Sequence, residues 1–267
     1  MSRPAPSAPP SPASGLAAWC DDLLYAIIFL TRIPLPAGNA ARTQPLATAM
    51  RTFPVAGGLI GGLGGLAFVA ASALGAPHAL AGALAIATTV AVTGALHEDG
   101  FADVCDGFGG GYERERKMEI MHDSLLGTYG ATGLVLSLLI RVVAVGTLAP
   151  LDALAAMIAA GALGRGLIPV TMTLNFSARS DGVAASSGYP TEGSTWAAVL
   201  LALLIALLAL GPGEGFLAFF VALAGIAGLA VLAKRHIGGY TGDVLGCGAQ
   251  TVDILVLVLV AMLRAPV

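Results

Sequence analysis

The densest run of side chains able to do chemistry in this sequence is His97-Glu98-Asp99-Gly100-Phe101-Ala102-Asp103-Val104-Cys105-Asp106-Gly107. On a continuing helix Asp99, Asp103 and Asp106 fall at i, i+4 and i+7 and share one face. Three carboxylates on one face repel each other, so the arrangement makes sense if divalent cations sit between them. Mg²⁺ suits such a place, because it takes a few carboxylates and completes its shell with water and substrate phosphate oxygens. Asp99, Asp103 and Asp106 are therefore the expected metal ligands, with Glu98 as a further carboxylate beside them. The competing reading is a solvated acidic helix end.

Two other clusters belong with this one. His122-Asp123-Ser124 offers a base, an anion and a hydroxyl just before the glycine-flanked turn Gly127-Thr128-Tyr129-Gly130. Adjacent residues rarely face one another, so the cluster does not establish a serine-hydrolase triad. His97, His122, Asp123 and Ser124 are the candidate catalytic residues. The run Arg235-His236-Ile237-Gly238-Gly239-Tyr240-Thr241-Gly242-Asp243 carries glycines that let backbone N–H groups approach a phosphate. Arg235, Gly238, Gly239 and Thr241 are expected to hold substrate phosphate, and Asp243 to join the metal shell; the competing reading is a flexible connection. Arg179 and Asp181, in Arg179-Ser180-Asp181-Gly182, form a weaker phosphate-binding candidate.

What must position these groups follows from composition. Of 267 residues, 57% are hydrophobic and only 11% charged, against about 25% charged in soluble domains. That is too little charge to cover a soluble globule, and too much apolar surface for a disordered chain. The formal charge of −3 gives no basic face for a nucleic acid. Three widely separated cysteines argue against a disulfide framework or a Cys-x-x-Cys metal site. Seven apolar segments, near 54–75, 79–96, 131–149, 152–174, 196–211, 214–233 and 250–263, are long and continuous, which excludes an alternating β-barrel. The expected fold is all-α: a polytopic membrane bundle of about seven transmembrane helices with an N-terminal amphipathic helix over Leu16–Leu30. The segments 196–211 and 250–263 are short for a full crossing. Residues 1–15, rich in Pro, Ser and Ala, read as a disordered leader, and 16–267 as one integral-membrane catalytic domain.

Ten of the 13 Lys and Arg residues lie before the first segment or in the loops on that same side; Arg141 and Arg165 fall inside segments, and Arg264 alone lies opposite. The positive-inside rule makes that side cytoplasmic. Seven crossings put the C-terminus outside, whereas an incomplete last segment would leave it inside. Gly57, Gly61 and Gly65, four residues apart, form a small-residue stripe that lets helices approach closely.

These motifs together resemble the cobalamin synthase (adenosylcobinamide-GDP ribazoletransferase) family. Its pattern His-Leu-Asp-Gly-Leu-Ala-Asp-x-x-Asp-Gly stands as His97 to Gly107, its Glu-Ile-Met-x-Asp-Ser-x-x-Gly-Thr-x-Gly as Glu119 to Gly130, and its Gly-Gly-x-Thr-Gly-Asp-x-x-Gly as Gly238 to Gly246. Glu98 and Phe101 replace family leucines, and Gln250 stands where the family tends to carry an acid. The resemblance implies a Mg²⁺-dependent, multi-pass enzyme of the bacterial inner membrane with its active face cytoplasmic. It would join adenosylcobinamide-GDP to α-ribazole or its 5′-phosphate, releasing GMP. Its surroundings would be the lipid bilayer. The oligomeric state stays open, a homo-oligomer and contacts with other nucleotide-loop assembly enzymes included. From another class, a transporter would use Arg141, Arg165 and Asp253 to line a solute or proton path.

Overall fold

The computed structural model describes residues 15–36, 44–179 and 187–264. Their regular elements are all helical, joined by one isolated bridge between Ser177 and Tyr240. In chain order they are α1 (Leu16–Leu30), α2 (Leu46–Ala49) with a 3₁₀ turn (Met50–Thr52), α3 (Phe53–Ala73), α4 (His78–Thr93), α5 (Leu96–Gly110), α6 (Arg114–Ile120), α7 (Thr128–Gly146), α8 (Pro150–Gly166), α9 (Ile168–Leu174), α10 (Glu192–Leu210), α11 (Pro212–Ile237) and α12 (Gly242–Arg264). The leader expected over residues 1–15 lies, apart from Gly15, outside the described residues.

Six stretches are long and apolar enough to cross a membrane, namely 46–73, 128–146, 150–174, 192–210, 212–237 and 242–264; α4 and α5 reach that length only together, as a pair bent by 92°. The protein is a multi-pass membrane protein. Its outer surface shows leucines such as Leu59, Leu66, Leu136, Leu200 and Leu208. Its interior is lined by alanine, glycine and paired charges, as expected where lipid and not water surrounds the bundle. The last helix is longer than the apolar segment suggested, because residues 242–249 extend it toward the site. Its 23 residues span about 34 Å, enough for the roughly 30 Å hydrocarbon layer. Its far end is fixed: Arg264 bonds Asp152 at 2.6 Å and Glu214 at 2.7 Å, beside the turns that start α8 and α11. The described chain thus ends at the opposite end of the bundle from α5 and the loops around it.

Helix α8 is the centre of the bundle, buried almost continuously from Ala156 to Gly166. The glycine stripe of α3 packs against it. A Cβ at Gly57 would fall on the carbonyl oxygen of Gly161, one at Gly61 on that of Met157, and one at Gly65 would sit 2.7 Å from Leu154 Cα. Gly58, one residue away, would meet only side chains at 3.8 Å or more. Gly57→Ala is therefore expected to cost about 1–3 kcal/mol by overpacking. Gly58→Ala should be neutral or slightly stabilising, since Ala favours helix over Gly by about 1 kcal/mol. Thermal melts in detergent check this; equal behaviour of the two variants would reject the close approach.

The second apolar segment does not continue into the carboxylate run, contrary to the sequence expectation. Gly94 (φ 64°) and Ala95 (φ 60°) both take the left-handed conformation, and α5 leaves α4 at 92°. A side chain at Gly94 would overlap Arg32, whose amide bonds Val92 O at 2.7 Å. The corner is thereby filled, and α5, with four acidic residues, turns away from α4's axis. We read it as lying outside the membrane spans, across one end of the bundle.

The amphipathic helix α1 packs on the 3₁₀ turn. Asp22 does not face solvent as its sequence neighbourhood suggests; it is buried and bonded to Arg51 at 2.6 Å, while the Arg51 guanidinium covers Trp19 at 4.3 Å.

Candidate active site

Helix α5 reaches α12 through Gly100, where a Cβ would sit 2.7 Å from Asp243 O and 2.9 Å from Asp243 Cα. This approach brings two sequence clusters, more than 130 residues apart in the chain, to one place. Asp99, Asp103 and Asp243 line a cavity of about 480 Å³ together with His122, Asp123, Ser124 and Arg179. Arg179 is fixed by a 2.9 Å bond to Met118 O and stands 4.0 Å from the Asp243 carboxylate.

Electrostatics marks Asp103 as the centre of this set. Its carboxyl is pushed up from 3.8 to about 7, chiefly by burial, then by Asp243, Asp99 and Asp106, with Arg179 pulling the other way. Carboxylates gathered so closely do not all keep their charge without a cation. Among the described residues, no three His, Cys, Asp or Glu side chains already converge on one point as a finished metal shell. The donors are nevertheless hard oxygens, as Mg²⁺ requires. An ion that takes only one or two carboxylates, with water and substrate phosphate for the rest, fits them.

The other expected site residues have different surroundings. Asp106 is buried, and its two oxygens accept from Gly127 N and Gly130 N, each at 2.8 Å. It caps the start of α7, so the third carboxylate of the helical face is spent on backbone amides. Glu98 lines the cavity, but its Oε1 accepts from Arg141 at 3.0 Å in the buried interior. His97 is 2% exposed, with Nδ1 3.4 Å from Arg165 Nη2, and it does not line this cavity.

The glycine-rich turn is put to another use than cradling phosphate. Gly238 (φ 80°) closes α11, its N–H donating to Lys234 O at 3.1 Å. Gly239 rests on the Phe176 carbonyl, and the Tyr240 N–H donates to that carbonyl at 3.0 Å. Thr241 Oγ1 donates to Asp243 at 3.1 Å and accepts from Val244 N at 3.3 Å, capping α12. Arg235 is exposed in the last turn of α11 and does not line the cavity. Arg179, the weaker expectation, does. Asp181 lies outside the described residues.

Sequence reasoning allowed Arg141 an acidic partner inside the bundle but did not identify the partners that lock the interior. Arg165 Nη1 reaches both oxygens of Asp253 at 2.7 and 2.6 Å, Arg141 holds Glu98, and Gln250 Nε2 bonds Ser137 Oγ at 2.8 Å, all buried. The available signal was the cost of charge inside apolar segments, which demands a partner for each. Arg141 and Arg165 are thus paired within the bundle, where a transport reading needs them on a solute path.

Comparison with known proteins agrees with the motif reading. The profile of the cobalamin-5-phosphate synthase family matches residues 22–261. A protein of Bradyrhizobium diazoefficiens named adenosylcobinamide-GDP ribazoletransferase is 44% identical over 242 residues, covering 90% of this chain and 93% of that one. Proteins of the same name from Mesorhizobium japonicum (42% over 243 residues, 91% and 93%) and Azorhizobium caulinodans (40% over 256 residues, 92% and 97%) are similar. No solved structure matches the chain.

Proposed function

The chain belongs to the cobalamin-5-phosphate synthase family and is an enzyme of cobalamin biosynthesis; from that premise we propose that it joins adenosylcobinamide-GDP to α-ribazole, or to its 5′-phosphate, in a Mg²⁺-dependent reaction. The observation that carries this reading is the convergence of Asp99, Asp103 and Asp243 with Arg179 on one cavity. A pyrophosphate brings charge that cations and an arginine neutralise, and the buried arginines Arg141 and Arg165 are already committed to internal pairs.

In the proposed reaction a ribose hydroxyl of α-ribazole attacks the phosphorus nearer cobinamide. A new P–O bond forms, the P–O bond to the guanosine-bearing phosphate breaks, and GMP leaves. Such displacements are catalysed mainly by positioning and charge neutralisation. Asp99, Asp103 and Asp243 would hold Mg²⁺, which supplies Lewis-acid neutralisation of the phosphate oxygens. Arg179 donates to a non-bridging phosphate oxygen, and the guanidinium fork suits that geometry. His122, lining the same cavity, takes the proton of the attacking hydroxyl, with Asp123 and Ser124 beside it as hydrogen-bonding groups. The lysine- and arginine-rich end that carries the site faces the cytoplasm of a bacterial inner membrane.

The test is GMP release by purified protein in detergent, without a vesicle or gradient. Arg179→Ala is expected to raise the KM for adenosylcobinamide-GDP by about tenfold or more, as loss of a charged hydrogen bond of about 1.5–3 kcal/mol implies. Arg235→Ala should leave it within about twofold, as for a surface substitution. No GMP from wild-type protein supplied with both substrates and Mg²⁺ would refute the reading. A larger effect at Arg235 would move the phosphate to the glycine-rich turn.

A further inference from the structure

A second cavity, of about 240 Å³, adjoins the first and shares Asp99, Arg179 and Asp243 with it. Its character is opposite. Phe29, Leu46, Met50, Phe53, Ile168 and Leu245 wall it, drawn from α1, α2, the 3₁₀ turn, α3, α9 and α12. The Phe29 and Phe53 rings lie nearly parallel, 14° apart, with centroids separated by 6.2 Å. The polar side chains at its edge are engaged: Thr241 caps α12, and His97 meets Arg165.

Resting on the reaction proposed above, we infer that this cavity is the acceptor subsite and receives the apolar aromatic base of α-ribazole. Three observations select that occupant. The cavity opens on the residues that flank the reacting phosphorus, so a ligand seated here projects its attached sugar toward the carboxylates. Guanine, with donors and acceptors around its edge, would leave most of them unpaired against leucine, methionine and phenylalanine, which is unfavourable for each group so buried. A corrin macrocycle is far too large for a space that accommodates a single bicyclic ring. A methylated benzimidazole has the size, flatness and scarcity of polar atoms that the walls require. The division of labour follows: the acidic cavity grips the diphosphate of one substrate, and the apolar cavity aligns the hydroxyl of the other. Helix α1, tied down by Asp22–Arg51, then serves as a wall of the acceptor subsite.

The experiment is direct binding of α-ribazole, by calorimetry, to full-length protein in detergent, with binding of adenosylcobinamide-GDP measured in parallel. Leu46→Phe on α2 and Leu245→Phe on α12 fill the cavity from two different elements. Each is expected to weaken α-ribazole at least about tenfold, the scale on which a pocket discriminates one or two methylenes, while the GDP-bearing substrate binds as before. A riboside of plain imidazole should lose less. Equal α-ribazole affinity in wild type and both filled variants, or absence of binding to wild type, overturns the inference. So does a result in which the filled variants lose co-purifying phospholipid and nothing else, which would make the cavity a lipid seat. If overpacking unfolds both filled variants, Met50→Ala decides. It should favour a riboside of the larger naphthimidazole relative to α-ribazole, and an unchanged preference overturns the inference. The outcomes also separate the two readings. Binding lost on filling without any GMP release by wild type keeps the subsite and rejects the reaction. Normal GMP release with filling-independent binding does the reverse.

Discussion

Asp103→Asn is expected to lower turnover at least about a hundredfold at saturating Mg²⁺ and substrates, the size of effect seen when one preorganised electrostatic partner of a transition state is removed. Asp103 lines the cavity together with Asp99 and Asp243 and is half-buried. The amide keeps its shape and removes one anion and one good metal oxygen. Stability should move the other way. Because the folded protein holds this carboxyl at about 7, above its usual 3.8, its charged form opposes folding in the absence of a cation. The sign follows from linkage: a carboxyl whose pKa rises on folding loses stability as pH climbs from its unfolded to its folded value. At pH 8 without Mg²⁺, the Asn variant should therefore melt at or above the wild-type temperature. Turnover near wild type would remove Asp103 from the site. Turnover lost together with a lowered melting temperature would make it a structural residue.

The largest effect on the fold is expected from Arg165→Ala. Removing this guanidinium strands Asp253 in the bundle, 8% exposed, without the two contacts at 2.7 and 2.6 Å. Breaking a buried pair from one side costs about 3–5 kcal/mol, a large share of the 5–15 kcal/mol that holds a typical domain. The same change deprives His97 of its neighbour at the start of α5. The paired replacement Arg165→Met with Asp253→Leu should be markedly more stable than Arg165→Ala alone, since no charge is left unpaired. Melting temperature and the yield of monodisperse protein in detergent measure both. A single variant as stable as wild type would show that the pair does not lock α8 to α12.

These two residues illustrate how differently the site and the fold could be read. The sequence alone determined the class of molecule, because 57% hydrophobic residues with 11% charge cannot form a water-covered surface. It also determined the family and the small-residue stripe of α3, since motif order and four-residue spacing are properties of the chain itself. Helical periodicity correctly grouped Asp99 and Asp103, but it specifies a face and not what the face meets. Asp106 lies on the same helix and is claimed by the amides of Gly127 and Gly130, donors supplied by the start of α7 about twenty residues on. Glu98 is claimed by Arg141 from another helix, and Asp22 by Arg51. The right-angle corner at Gly94-Ala95 was equally hidden, because Ala95 adopts a left-handed conformation that L-residues avoid by about 1–2 kcal/mol, and only the packing around it makes that affordable. The glycines of 238–246 were visible as glycines, yet whether they bare amides to a phosphate or let chain segments touch depends on what lies opposite. Opposite Gly239 lies the Phe176 carbonyl. The apolar cavity, drawn from six separate elements, has no sequence signature at all: each wall residue is an ordinary hydrophobe, and only tertiary packing left a space between them.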